Sequence, residues 1–168
     1  MGANLTIYFS RQQLKNKEFR RPDFFLVKNT EKKPRSSWVV WEEDGKYPNL
    51  IIELLSKDTA SVDCNLKKEL YQDRFRTPEY FWFYPQILEF AGFRLVGDKY
   101  QPIPVDEEGK RWSEQLGLYL GVYQEQLRYF TAEGQLVARP EEDALRAMAD
   151  AEKMAAKLRS LGIDPDTD

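Results

Sequence analysis

Apolar residues fall along this chain in short runs, each closed by proline, glycine or a polar cluster. Leu5-Thr-Ile-Tyr-Phe9 is β-branched and aromatic, which predicts a first strand. Residues 11–21 are basic and without a clean period, and are expected to form a loop or a short turn of helix. Pro22 then opens Asp23-Phe-Phe-Leu-Val27, a short strand with proline at its tolerated leading edge. Residues 28–49 read as a long connection with an extended piece at Trp38–Trp41, closed by a turn over residues 42–45. Leu50-Ile-Ile-Glu-Leu-Leu55 is apolar around a single acid, the pattern of a strand buried on both faces. A polar loop over 56–62 leads to Asp63, a suitable N-cap for a helix from Cys64 to about Phe75. Thr77-Pro78 stops that helix, and Tyr80-Phe-Trp-Phe-Tyr84 predicts an aromatic strand, either core or a surface that stacks on bases, with the core favoured by its unbroken run.

From Glu89 the pattern turns antiparallel. Phe93–Val96 and Tyr100–Ile103 flank Gly97-Asp98-Lys99 as a hairpin. Leu127–Phe130 and Leu136–Ala138, around Ala132-Glu133-Gly134, predict a second. Pro140 followed by Glu141, Glu142 and Asp143 starts a helix, with proline in its first turn and acids at its positive end. The Ala-rich stretch 144–160 continues it to Leu161-Gly162. Leu145, Met148, Ala155, Leu158 and Leu161 make a narrow apolar stripe, suited to packing on the domain or to a weak contact with a partner helix. The expected organisation is a domain over residues 1–139 and a C-terminal helix and tail over 140–168.

Composition narrows the chemistry. The 168 residues suit one core, and no apolar run approaches the ~20 residues of a membrane helix. Met1 to Gln13 shows no apolar signal-peptide core, and a cytoplasmic location is expected. The lone Cys64 excludes an internal disulfide framework and a Cys-rich zinc site. The chain has no histidine, which removes Ser-His-Asp and Cys-His catalysis and His-ligated zinc or iron. An enzyme built from what remains relies on carboxylates, lysine, arginine, tyrosine and hydroxyls. Such carboxylates favour hard cations. The net charge of −3 hides a basic leading segment: residues 1–35 carry nine basic and three acidic residues. That segment is either a polyanion contact or a solvated edge. Lys32, Lys33 and Arg35 in particular are phosphate contacts or plain loop charges.

Three residues stand out. Asp23 begins a hydrophobic strand and Glu53 lies inside another. An ionised carboxylate is costly to bury unless it is paired or binds metal, so the pair reads either as ligands of one divalent cation or as buried ion-pair partners. Lys67 lies four residues after Asp63 and four before Tyr71, on one helix face. It is either a solvated lysine or a cation aimed at a reacting phosphate, with Lys68 as a substitute.

Pro22-Asp23, Ile52-Glu53-Leu54-Leu55-Ser56, the trio Asp63, Lys67 and Tyr71, and Thr77-Pro78-Glu79-Tyr80-Phe81-Trp82 resemble the Uma-two family of endonucleases. That family belongs to the PD-(D/E)XK nuclease superfamily. Phe90–Leu95, Trp112–Gly117, Leu127–Phe130 and Leu158–Pro165 extend the resemblance over nearly the whole chain. It implies an α/β, restriction-endonuclease-like fold: a mixed β-sheet flanked by helices, with C-terminal hairpins and a terminal helix. It also implies Asp23 and Glu53 as metal ligands, Lys67 as the catalytic lysine, and Mg2+ (or Mn2+) as cofactor. Lysine usually sits two residues after the acid in the superfamily, a position held here by Leu55, and Lys67 matches the family's helical lysine instead. Relatives carry further structure before the segment matching Asn4, so the N-terminal part is expected to be shortened, with Glu18 a poor match for the acid found there. Tyr84 stands where many relatives carry an acid.

The expectation is therefore a magnesium-dependent endonuclease acting on DNA. The first alternative is a catalytically degenerate relative that binds nucleic acid or a protein through the same fold. The second is a sugar hydrolase using the same two carboxylates. The terminal helix and the resemblance leave a homodimer open.

Overall fold

Leu50–Leu54 is the strand around which the main sheet is built. In the computed structural model, which describes residues 2, 3, 5–10, 19–56 and 63–161, it is flanked on both sides by other strands. The strands are Gly2–Ala3 (β1), Thr6–Tyr8 (β2), Phe19–Arg20 (β3), Phe24–Leu26 (β4), Ser37–Val39 (β5), Leu50–Leu54 (β6), Glu79–Tyr84 (β7) and Glu89–Val96 (β8). Lys99–Pro102 (β9), Arg111–Ser113 (β10), Leu118–Tyr123 (β11) and Gln126–Phe130 (β12) complete them. The helices are Asp63–Glu69 (α1), continued by a π-helical turn over Leu70–Arg74, and Pro140–Ser160 (α2).

The main sheet has the order β1-β4-β6-β7-β8-β9. β6 runs antiparallel to β4 and parallel to β7, and α1 is the crossover that a parallel pair requires. The remaining pairs of this sheet are antiparallel. Alternation along the strands divides its side chains between two cores. Phe25, Ile51 and Tyr80 point to one face, where Tyr71 and Phe75 from the π turn and Ile7 and Trp38 from a small sheet β3-β2-β5 cover them. Leu50, Ile52 and Phe81 point to the other, against Leu120 and partly buried Leu127 and Tyr129 of the sheet β10-β11-β12. The result is the mixed α/β architecture of a restriction-endonuclease-like fold. The chain forms two compact units, Met1–Gln135 and Leu136–Asp168. Among the described residues no helix is long and apolar enough to cross a membrane.

Several expectations need correction. The segment expected as loop or helix over 11–21 ends in a strand, β3, because the backbone of Phe19 and Arg20 pairs with Tyr8 and Ile7; residues 11–18 lie outside the described residues. Of the second hairpin expected over 127–138, the turn forms, with the Thr131 amide donating to the Gln135 carbonyl at 2.8 Å, but only Leu136 of its second strand bridges. β12 pairs backwards with β11 around Gln124-Glu125, and β10 adds a third strand to it. The extended piece near Trp38 is shorter than expected, since Val40–Glu42 is a 3-10 turn. The helix ending near Phe75 is α-helical only to Glu69. β6 is buried through Glu53, but Leu54 is 52% exposed where the strand leaves the sheet.

Candidate active site

The register of β4 against β6 places Phe24 opposite Ile52 and Phe25 opposite Ile51. Carried one residue further, it brings Asp23 opposite Glu53. Directly opposed residues share a face, with Cβ atoms roughly 5 Å apart. Asp23 is half-buried, and its Oδ2 accepts the Leu54 amide N–H at 2.7 Å. That bond fixes the carboxylate at the end of β6, at the carboxyl end of the parallel β6–β7 pair. Crevices at such ends are where open α/β sheets bind ligands.

Glu53 is 2% exposed. The Tyr71 hydroxyl donates to its Oε1 at 2.7 Å, and Lys67 Nζ lies 3.4 Å from Oε2. Lys67 and Tyr71 are one helical turn apart, so both descend from the same face of α1 and its π continuation onto one carboxylate. Burial pushes the Glu53 carboxyl above its ordinary value. The Tyr71 hydrogen bond and the Lys67 charge pull it down, while the nearby Asp23 charge pushes it up, and the net direction is upward. Burial and the Glu53 charge likewise raise the Tyr71 phenol far above its usual range, so it stays a donor; Arg20 on β3 acts in the opposite sense.

The three residues singled out in the sequence thus converge at one end of the sheet. Lys68 does not join them: its ammonium lies over the Phe93 ring, 3.5 Å from the centroid. Arg35 has a structural role, since Glu43 holds its guanidinium on two oxygens and it lies over Trp38 at 5.0 Å. Glu18 lies outside the described residues, as does the side chain of Asp63.

Among the described residues no group of three or more Asp, Glu, Cys or His side chains gathers as a metal site. Asp23 and Glu53 are the hard oxygen donors that could hold a cation here. They match magnesium, which keeps several waters and commonly takes one or two carboxylates. Glu53 Oε2 lies 3.4 Å from the Lys67 ammonium, and the nearby Asp23 charge pushes the Glu53 carboxyl up.

A second buried carboxylate, Glu79, was legible in the sequence only as part of a motif. It is fully buried at the head of β7. Its Oε1 accepts from Arg94 Nη2 at 3.0 Å and from the Glu114 amide at 2.9 Å. Its Oε2 accepts from the Ser113 hydroxyl and the Gln115 amide. These bonds tie β7 to the chain between β10 and β11. The signal that could have found it is the one that found Asp23: an acid directly after proline at the start of an aromatic strand, Pro78-Glu79 beside Pro22-Asp23.

No curated protein matches the chain. A family model does, over residues 1–144: Uma2, described as "Putative restriction endonuclease". The match spans the main sheet, its flanking layers and all three converging residues, and on it this chain belongs to the Uma2 family, within the PD-(D/E)XK-like nuclease superfamily.

Proposed function

We propose that this chain is a magnesium- or manganese-dependent endonuclease that hydrolyses phosphodiester bonds in DNA. The observation that carries the reading is the buried Glu53, its charge only partly compensated, set opposite Asp23 with Lys67 against it. A buried ionisable pair with a cation at a sheet's carboxyl end is a common form of catalytic site.

Asp23 and Glu53 would hold the ion, which when bound supplies a Lewis acid for the phosphoryl oxygen and makes water a stronger nucleophile at neutral pH. The remaining roles belong to the chain. The Leu54 amide orients Asp23 through Oδ2, and a carboxylate has lone pairs left for a cation. Tyr71 holds Glu53 in one rotamer by its hydroxyl. Lys67, 21% exposed, reaches both the carboxylate and the solvent side, where its ammonium stabilises negative charge growing on phosphate oxygens. The basic surplus of residues 1–35 adds attraction for a polyanion. A cytoplasmic location accords with a chain whose single cysteine needs no oxidising compartment. A homodimer through α2 accords with its exposed Leu145, Met148 and Met154.

One observation favours the second reading, a degenerate nuclease fold that only binds. Tyr71 and Lys67 already engage both oxygens of Glu53, as in a closed structural ion pair. Incubation of supercoiled plasmid with magnesium, manganese or chelator, beside Asp23→Ala, separates the two. Metal-dependent nicking that falls at least roughly 100-fold in a folded variant is expected, since the ion contributes several kcal/mol to the transition state. No nicking by the folded wild type with either metal leaves the binding reading.

A further inference from the structure

The end of the main sheet that carries Asp23 and Glu53 also carries an apolar turn. Trp82 on β7 is level with Glu53, and β7 runs on to Tyr84, which pairs with Glu89 at the start of β8. Pro85-Gln86-Ile87-Leu88 closes these two strands, with the Ile87 amide donating to the Tyr84 carbonyl at 3.3 Å. Asp23 immediately precedes β4, which is antiparallel to β6, so Asp23, the end of β6 and this turn stand at the same end of the sheet. The turn begins three residues beyond the level of Glu53, about 10 Å, and one to two strand spacings, about 5–10 Å, to its side.

All four turn residues are exposed, Ile87 at 60% and Leu88 at 42%. Leu54, at the end of β6, is a third exposed apolar side chain at this end. Single exposed apolar residues are ordinary. Leu88 differs from them in its backbone, which takes a φ of 57° in the left-handed region, where a Cβ crowds the chain and glycine or asparagine is the cheap choice. Among the described residues the other non-glycine positions with positive φ are Asn29, Asp44, Arg76, Gln124 and Glu125, all polar. Leu88 thus holds a costly conformation while much of its side chain stays in water. Strain that packing within the chain does not offset points to a use outside it.

The distance from the site suggests that use. A duplex with one phosphodiester at Asp23 and Glu53 advances about 3.4 Å per base pair, so a turn some 11–14 Å away is reached within about four base pairs. Arg20 and Arg21 stand just before Pro22-Asp23 on the β4 flank, whereas the turn on the β8 flank carries no charge and is followed by Glu89. Such a turn is unsuited to phosphates and suited to bases, since proline, isoleucine and leucine are side chains that enter between base pairs and unstack them. We propose that the turn over residues 85–88 is a wedge that enters the base stack of duplex DNA a few base pairs from the phosphodiester that is cut, with Ile87 and Leu88 as the inserted side chains. This rests on the reading of Asp23, Glu53 and Lys67 as a nuclease site, and adds that the enzyme unstacks the duplex beside the cut.

The test uses the full chain in chelator, where binding is read apart from cleavage. A fluorescent DNA duplex is titrated by anisotropy, and a duplex carrying 2-aminopurine, which brightens when unstacked, reports the wedge. Wild type is compared with Leu88→Gly and with Ile87→Ser/Leu88→Gly. Glycine suits the left-handed turn, so Leu88→Gly should melt no lower than wild type, which a packing role for the leucine would not allow. The wild type should brighten the duplex, and the double variant should bind about tenfold more weakly and leave it dark. Equal binding and brightening by the double variant would overturn the wedge, as would a wild type that leaves the duplex dark. Loss of self-association in the double variant with unchanged DNA binding would overturn it in favour of a second copy of the chain. Brightening that the double variant loses, without metal-dependent plasmid nicking by the wild type, would uphold the wedge and remove the catalytic reading.

Discussion

Two glutamates are buried in adjacent strands of one sheet, and they differ in almost everything but burial. Glu53 stands near the carboxyl end of β6 and Glu79 at the start of β7, with Leu50 the residue beside Glu79. They therefore lie at opposite ends of the parallel pair, and alternation puts them on opposite faces. Glu79 receives two backbone amides, a hydroxyl and a guanidinium, a set that saturates a carboxylate. Glu53 receives one phenol and one lysine at 3.4 Å, with a second carboxylate opposite it. A saturated charge holds layers together. One with fewer donors is the better candidate for the proposed cation. Burial alone does not separate the two acids; their donor inventories do.

The largest effect expected of this contrast is on stability. Glu79→Gln replaces an acceptor with a group that meets donors, and should cost about 3–5 kcal/mol in urea unfolding. Glu53→Gln keeps a partner for Tyr71 and removes a poorly neutralised charge, so its cost should stay within about 1 kcal/mol. Equal losses at the two positions would erase the distinction. Magnesium gives the next largest effect. At a hundredfold excess over its dissociation constant it should stabilise the wild type by about 2.7 kcal/mol, and this gain should vanish in Asp23→Asn, as read by melting temperature. A gain that survives the substitution would move the ion elsewhere.

The smallest effect is in pH. Burial raises the Glu53 carboxyl, so the folded chain holds that proton more tightly than the unfolded chain does. Its stability contribution is then fully present below the ordinary value of 4.5 and is lost as pH rises through the raised one. Without metal, Glu53→Gln should gain on the wild type as pH climbs through that window, by a melting shift on the order of 2 °C. A difference that is flat with pH, or that shrinks, would mean Lys67 neutralises Glu53 fully.

Much of this was legible before the structure. Asp23 and Glu53 stood out because each interrupts an apolar run, and a charge in such a place needs a reason. Lys67 and Tyr71 were legible as one helix face through their spacing. The strand order that brings Asp23 to Glu53 was not, since pairing is a long-range property that short runs do not encode. The misread hairpin has a local cause. Gln124 and Glu125 take φ values of 49° and 61°, a left-handed turn made without glycine or asparagine, whereas Ala132-Glu133-Gly134 offered the usual turn signal. β11 carries Gly121 inside it, where an added Cβ would lie 2.8 Å from Lys110 Cγ, so a larger residue would have to push that side chain aside. β3 escaped because its two residues are strand by virtue of their partners alone.

The π turn after α1 sets a phase between two machines. Phe75 donates its amide to the Leu70 carbonyl, five residues back, so this turn stores one residue more than an α-helix would. Upstream of it Lys67 addresses Glu53; downstream of it Glu79 must meet Ser113 and Arg94. The stored residue works as a spacer between these fixed points, like one extra tooth in a gear train. Side chains in the segment can be exchanged without altering the count, whereas removing a single residue would put the two ends out of step. The chain between Lys67 and Glu79 is therefore constrained in length more strictly than in composition.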